Sequence, residues 1–417
     1  MFKVTSKIMF VLSFLMIASM LLTSCAPAAT PAPTEAPVEP AAATVAPVEP
    51  AAATEVPAEP VAAMPASILI PFVGPLTGPD GFDGQNSAKA ADLAVKQAND
   101  KGGVCGGVKL ETTSNDTKSD PKEGANIATL LCNTENVFGA VADYNSSVCL
   151  AEAPVFNECQ VSQVVYYCAA PGIAQKGGAY TFRIYPPGEN MSIYLADWLV
   201  NQLGYKKIAT LYENTDYGLG LQDVFVAKVK EFGGEVVVAE AVLKDQTDLS
   251  AVVSKIKDSN PEAVVGMIQY QVAALFSQQA KNIDFNLPLY GSDGLFSPEI
   301  VNLGGAAVEG ARTVAAYMPD SVNPVVADFV KAFREAYGED PTNAAGYAYD
   351  ATNVVIAGLE ATKCAGREAL QKWLAENITE FKGVTGTIAL DAEGERMFAP
   401  GMYTPIEIKD GKWVEVK

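Results

Sequence analysis

The chain of 417 residues contains no histidine. The commonest general base and the commonest metal ligand are therefore absent. Ser-His-Asp and Cys-His nucleophile arrangements are excluded, together with most zinc sites. Positive charge is also scarce: 29 lysines and arginines stand against 49 aspartates and glutamates, a net charge of −20. Nucleic acid needs a basic footprint, so it is not expected as a partner, nor is an anionic membrane surface. The excess acid reads first as a solvated surface that aids solubility. No two of the seven cysteines are spaced C-x-x-C, which leaves a thioredoxin-like motif or a zinc knuckle without support. No metal or other cofactor is implied. Carboxylate or lysine chemistry is what remains open to an enzyme.

What is present begins with an export signal over residues 1–24. Lys3 and Lys7 supply its positive end, and Ile8 to Leu22 form an apolar run of 15 residues. That run is short of the roughly 20 residues of a transmembrane helix. The ending Leu22-Thr23-Ser24-Cys25 resembles a bacterial lipobox. The resemblance implies cleavage before Cys25 and a lipidated thiol that anchors the chain to the membrane. An ordinary cleaved signal with an incidental cysteine is the alternative. Residues 25–66 then form a Pro/Ala-rich tract in which "APVEPAAAT" occurs at Ala36–Thr44 and again at Ala46–Thr54. Repeated proline among small residues makes an extended, disordered tether and not a solenoid. Loss of Lys3 and Lys7 with the signal takes the exported part to about −22.

From Ser67 strands and helices alternate. "SILIPFVG" (67–74), "VKLETTS" (108–114), "VFGAVA" (137–142) and "QVVYYC" (163–168) read as strands. A helix over 86–101 carries Ala88, Ala91, Val95 and Ala98 on one face, and Asp120-Pro121-Lys122-Glu123 starts another with an acidic cap. The pattern restarts with "KIATLY" (207–212), "EVVVAEA" (235–241), "AVVGMI" (263–268) and "LPLYGS" (287–292). Glu309–Tyr317 looks like a further strand. Helices follow at 324–337, 343–363 and 367–377, then β structure at 386–390 and on both sides of Lys409-Asp410-Gly411. The expected fold class is α/β, with two doubly wound Rossmann-like lobes and a ligand cleft between them. "GLGLQD" (218–223) resembles a dinucleotide fingerprint, but Asp223 stands at the third glycine and would repel a pyrophosphate.

Five segments in order carry a family resemblance: Gly74–Val104, Ser114–Leu131, Glu213–Phe225, Leu287–Val301 and Phe333–Val355. They resemble the periplasmic branched-chain amino acid-binding proteins, the solute receptors of one class of ABC importers. The resemblance covers Ser67 to Lys417 and implies the type I periplasmic binding protein fold, a clamp that closes by hinge motion. It implies an N-terminal lobe of 67–185 plus 319–384 and a C-terminal lobe of 186–318 plus 385–417. In the family one lobe holds the ligand carboxylate at a helix start. Ser146, with its neighbour Ser147, matches that serine, and Ala169 and Ala170 match the backbone groups beside it. Ser146 could equally be a plain N-cap. Asp293 matches the acid that meets the ligand ammonium, or it caps the helix near 297. Tyr217 matches a tyrosine lining the cleft, and Phe82 and Tyr144 form a candidate aromatic wall. Pro171 stands where the family usually has a hydroxyl residue, and Asp293 where it often has Glu. A small amino acid-like ligand and ABC permease subunits are the partners implied. A sensory receptor built on the same clamp is the alternative, and an exported carboxylate-dependent hydrolase a third reading.

Besides Cys25 there are six cysteines, an even number in a compartment where disulfides persist. Cys105–Cys132 is the expected pair, on the argument that both fall at the same edge of one sheet. Cys149–Cys168 is the second pairing, and buried free thiols are the alternative.

Overall fold

In the computed structural model, residues 65–319 and 323–416 are described. The signal, Cys25 and the tether up to residue 64 lie outside the described residues. The chain enters through β1 (Ser67–Leu69) and β2 (Phe72–Gly74). They are one apolar run in the sequence, but Pro71 has no amide hydrogen and interrupts the ladder. Then come α1 (Gly81–Asp100), β3 (Lys109–Glu111), β4 (Ser114–Asp116), α2 (Pro121–Cys132), β5 (Gly139–Ala142) and α3 (Ser146–Cys159). The lobe continues with β6 (Ser162–Val165), α4 (Ile173–Gly177) and β7 (Thr181–Arg183). The Asp120 carboxylate accepts the Glu123 N–H at 2.9 Å, the cap that Asp-Pro-Lys-Glu predicts. Helix α1 begins a turn earlier than its apolar periodicity indicates. Its first turn is polar yet buried at Asp83, so burial and not hydrophobicity marks the start.

The chain crosses over through α5 (Gly188–Asp197) and builds a second unit from β8 (Lys207–Glu213), α6 (Asp216–Glu231), β9 (Glu235–Val242), α7 (Ser250–Asp258) and β10 (Ala263–Met267). It continues with α8 (Tyr270–Asn282), β11 (Leu289–Gly291), α9 (Glu299–Gly304) and β12 (Arg312–Ala315). Then α10 (Pro324–Tyr337), α11 (Asn343–Ala361) and α12 (Arg367–Asn377) return to the first lobe, where α11 packs along α1. A small hairpin, β13 (Phe381–Gly383) and β14 (Gly386–Ile388), precedes β15 (Thr404–Lys409) and β16 (Lys412–Glu415).

The parallel sheet of the first lobe has the order β4-β2-β5-β6-β7, with β1 and β3 paired beside it. The second sheet runs β9-β8-β10-β11-β12 in parallel, and β15 and β16 add antiparallel to its far edge. In both sheets the first strand is flanked by the second on one side and the third on the other. That is the switch point of a doubly wound sheet, where loops diverge above the carboxyl ends and leave a crevice. The strands carry continuous buried stretches such as Gly139–Ala142 and Ala263–Met267, because helices cover both faces of a parallel sheet.

Two expectations need correction. The last return to the second lobe is not at 384/385. Residues 389–396 still belong with β7: the Arg183 N–H donates to the Gly394 carbonyl at 2.8 Å, and the Arg183 guanidinium pairs with Glu395. The crossing lies between residue 397 and Tyr403. The disulfides are Cys105–Cys364 and Cys132–Cys159, not Cys105–Cys132, while Cys149 and Cys168 are buried free thiols. Helix packing, not a sheet edge, sets the pairs. Cys105 follows α1 and Cys364 follows α11, and these helices lie side by side. Cys132 and Cys159 are each the last residue of consecutive crossover helices, which run parallel and end together.

Candidate ligand-binding cleft

A cavity of about 460 Å³ lies between the lobes, walled by the loops above both switch points. From the first lobe come the segments after β4, β5 and β6; from the second, the end of β8 and the segments after β8, β9, β10 and β11. The lobes touch across it. Ser147 Oγ donates to Asp216 Oδ2 at 2.6 Å and accepts the Asp216 N–H at 3.1 Å. Tyr270 Oη donates to the Pro79 carbonyl at 3.0 Å, and Lys244 pairs with the buried Asp80. Burial works against the Asp80 charge, but Lys244 and hydrogen bonds from Asn145 and Ser119 hold its carboxyl below the usual range.

Ser146 opens α3 at the cavity wall, with Asn145 at the N-cap. No side chain caps this helix start, so its first amide groups are unclaimed by a capping oxygen. Ser146 Oγ accepts the Ala170 N–H at 3.1 Å. Ser146 is therefore not a plain N-cap; it ties α3 to the loop after β6. Ala169 and Ala170 lie behind it, away from the wall. Their carbonyls accept from the Gly188 N–H and from Arg183, and neither residue lines the cavity. Tyr167 stands at the wall in their place. The extended segment after β6 turns inward earlier than the motif implies. Phe82 is 42% exposed and contributes nothing to the wall. Tyr144 does line the cavity, and it stacks on Tyr167 with ring centroids 4.8 Å apart.

Across the cleft, Tyr217 Oη donates to Asp293 Oδ1 at 2.8 Å and accepts the Gly294 N–H at 3.0 Å. Tyr185 donates to the other oxygen of Asp293. Burial raises the Asp293 carboxyl, and the two phenols pull it back. Burial and the Asp293 charge push the Tyr217 phenol well up, so it stays a donor. Asp293 thus opens a short turn, Asp293–Leu295, and faces the cavity instead of capping α9. Gly294 is required here: a Cβ would lie 2.5 Å from the Ile268 carbonyl and 2.6 Å from Tyr217 Oη.

Sequence reading misses Tyr185, Tyr167, Glu213 and Lys244. Glu213 closes β8 at the switch point, a position that marks it in retrospect. The others depend on which loops the two lobes bring together. The "GLGLQD" glycines serve packing: a Cβ at Gly218 would meet the Glu213 carbonyl at 2.1 Å, and one at Gly220 would meet Pro171 at 2.6 Å.

Two switch-point crevices facing each other across a closed cleft define a two-lobed binding protein. The chain belongs to the periplasmic binding protein family, whose model matches residues 67–412. It is 29% identical over 354 residues to the Leu/Ile/Val-binding protein homolog 1 of Brucella suis biovar 1, covering 84% of this chain and 93% of that one. A leucine-binding protein from Thermotoga maritima superposes with a TM-score of 0.77 at 27% identity, over 84% of this chain and 98% of the other. A solute-binding protein of an ABC transporter from Rhodopseudomonas palustris, solved with benzoate, shares the fold with a TM-score of 0.76 at 22% identity, over 84% and 95%. The fold is the type I periplasmic binding protein fold, and the family places the chain outside the cytoplasm. Among the described residues no helix is long and apolar enough to cross a membrane.

Proposed function

We propose that the chain is the solute-binding lipoprotein of an ABC importer, anchored through Cys25, which encloses an amino acid between its lobes and presents it to the permease. The observation that carries this reading is one cavity with an uncapped helix start at Ser146 on one side and the buried carboxylate of Asp293 on the other. Unpaired helix amides and their dipole suit a ligand carboxylate. A carboxylate in a closed cleft suits an ammonium group. Ser146 and Ser147 form the first contact, and Asp293, oriented by Tyr185 and Tyr217, the second. Tyr144 and Tyr167 stack into the wall between them. The binding proteins named among its relatives agree with this class, and no reaction is assigned to the chain.

The test is a thermal-shift panel of amino acids, small amides and aromatic acids on purified protein. A ligand at 100 times its Kd adds about 2.7 kcal/mol to the folded state, a rise of a few degrees. A shift with an amino acid, lost in Asp293→Ala, is the expected result. A shift with an aromatic acid alone, unaffected by that substitution, would overturn the amino acid reading. Mass spectrometry of the membrane-bound form tests the acylation of Cys25.

A further inference from the structure

The wall of the cavity is poor in aliphatic surface. Among the described residues, its aliphatic side chains are Pro121 and Leu219, and both are exposed at the rim. The interior is hydroxyl, amide and carboxylate. A Leu, Ile or Val side chain enclosed here would lose water and meet few apolar partners, which forfeits most of its burial energy.

The charges are unbalanced as well. Glu213 and Asp293 both line the cavity, and Lys244 is the cation beside them. Lys244 already pairs with Asp80 of the opposite lobe. Glu213 is only 2% exposed. Its Oε1 accepts the Gln269 N–H at 2.8 Å, and its Oε2 receives no hydrogen bond from the described residues. That oxygen is not sealed into the interior. Burial pushes the Glu213 carboxyl up to about 7 despite the Lys244 charge, which marks a carboxylate short of a counter-ion.

We propose that the cleft selects an amino acid whose side chain carries a second positive charge, an amino or guanidino group, and that Glu213 is the residue that takes it. The inference rests on the amino acid reading above. In this arrangement Asp293 meets the α-ammonium and the free oxygen of Glu213 meets the side-chain cation, both from the second lobe. The overall negative field of the exported chain favours approach of a cation in the same sense.

The experiment is calorimetric titration of the purified protein with arginine and citrulline, lysine and norleucine, and leucine. Each of the first two pairs differs in charge at nearly constant shape. Arginine is expected to bind at least about tenfold tighter than citrulline, and lysine than norleucine, the worth of one charge-assisted hydrogen bond. Glu213→Gln keeps an acceptor for the Gln269 amide; it should weaken arginine about tenfold and leave citrulline within about twofold. A thermal melt of the variant establishes that it folds, and the analogue pairs decide the matter without any variant. Equal binding of charged and neutral partners, or leucine tighter than arginine, overturns the inference and leaves the amino acid reading standing. Binding of no amino acid overturns both.

Discussion

Removing the two disulfides one at a time should give unequal losses, and the structure says which is larger. Cys105 and Cys364 are 259 residues apart, whereas Cys132 and Cys159 are 27 apart. Chain-entropy theory assigns about 5.5 kcal/mol to closing the first loop and about 3.5 kcal/mol to closing the second. The folded part has roughly 350 residues, for which the entropy of unfolding is about 0.7 kcal/mol per kelvin. The double substitutions Cys105→Ser/Cys364→Ser and Cys132→Ser/Cys159→Ser should therefore lower Tm by about 8 °C and about 5 °C. The first bond only staples α1 to α11, which already pack together, so ligand affinity should be unchanged. Differential scanning calorimetry measures the two shifts, and peptide mapping of the non-reduced protein identifies the pairs. A protein starting at Ser67 should show two thiols that react only after unfolding, Cys149 and Cys168. A larger loss from the short loop, or a mapped Cys149–Cys168 bond, would refute the assignment of staples to neighbouring helices.

Other substitutions follow from the cleft. Gly294→Ala forces Tyr217 away from Asp293 and should weaken ligand binding about tenfold or more while costing 1–3 kcal/mol of stability, read by titration and melting. Lys244→Met leaves Asp80 charged and buried without its partner; it should destabilise the closed form by about 3–5 kcal/mol and speed ligand release in stopped-flow traces. Adding Asp80→Asn should restore part of that loss. Burial raises Asp83, Asp143 and Glu213 to about 7. An acid whose folded value lies above its unfolded value binds more protons when folded, so its stabilisation is fully present below about pH 4 and is lost as pH rises through 7. Each such group should cost about 2 kcal/mol between pH 5.5 and 8, and melting at pH 8 should come several degrees below melting at pH 5.5.

Much of this protein is written locally. The absence of histidine, the strand-helix alternation and the capped start at Asp120 depend on residues close in the chain, so they are legible from it. The helices at 324–337 and 367–377 have the bounds that their patterns indicate. Asp293, Tyr217, Ser146 and Ser147 are reached through the family resemblance, and all four line the cavity. Phe82 could not be rejected from the sequence, because which side of the first turn of α1 faces the cleft depends on the loop packed beneath it. The Ala169–Ala170 pair sits behind the wall for a related reason: its carbonyls are held by Gly188 and Arg183, contacts that depend on distant loops.

The sequence by itself determined the class of fold, the lobe-building repeats and the residues at strand ends, since periodicity and capping are short-range effects. Only the tertiary structure decided the cysteine partners, the last crossing between the lobes, and the joining of Tyr185 to Asp293 and of Lys244 to Asp80. Apart from Cys132–Cys159, 27 residues apart, these contacts connect segments a hundred or more residues apart, and all of them are chosen by how whole helices and lobes pack. No local pattern encodes that choice, because the energy that makes it is the burial of surfaces assembled from distant parts of the chain.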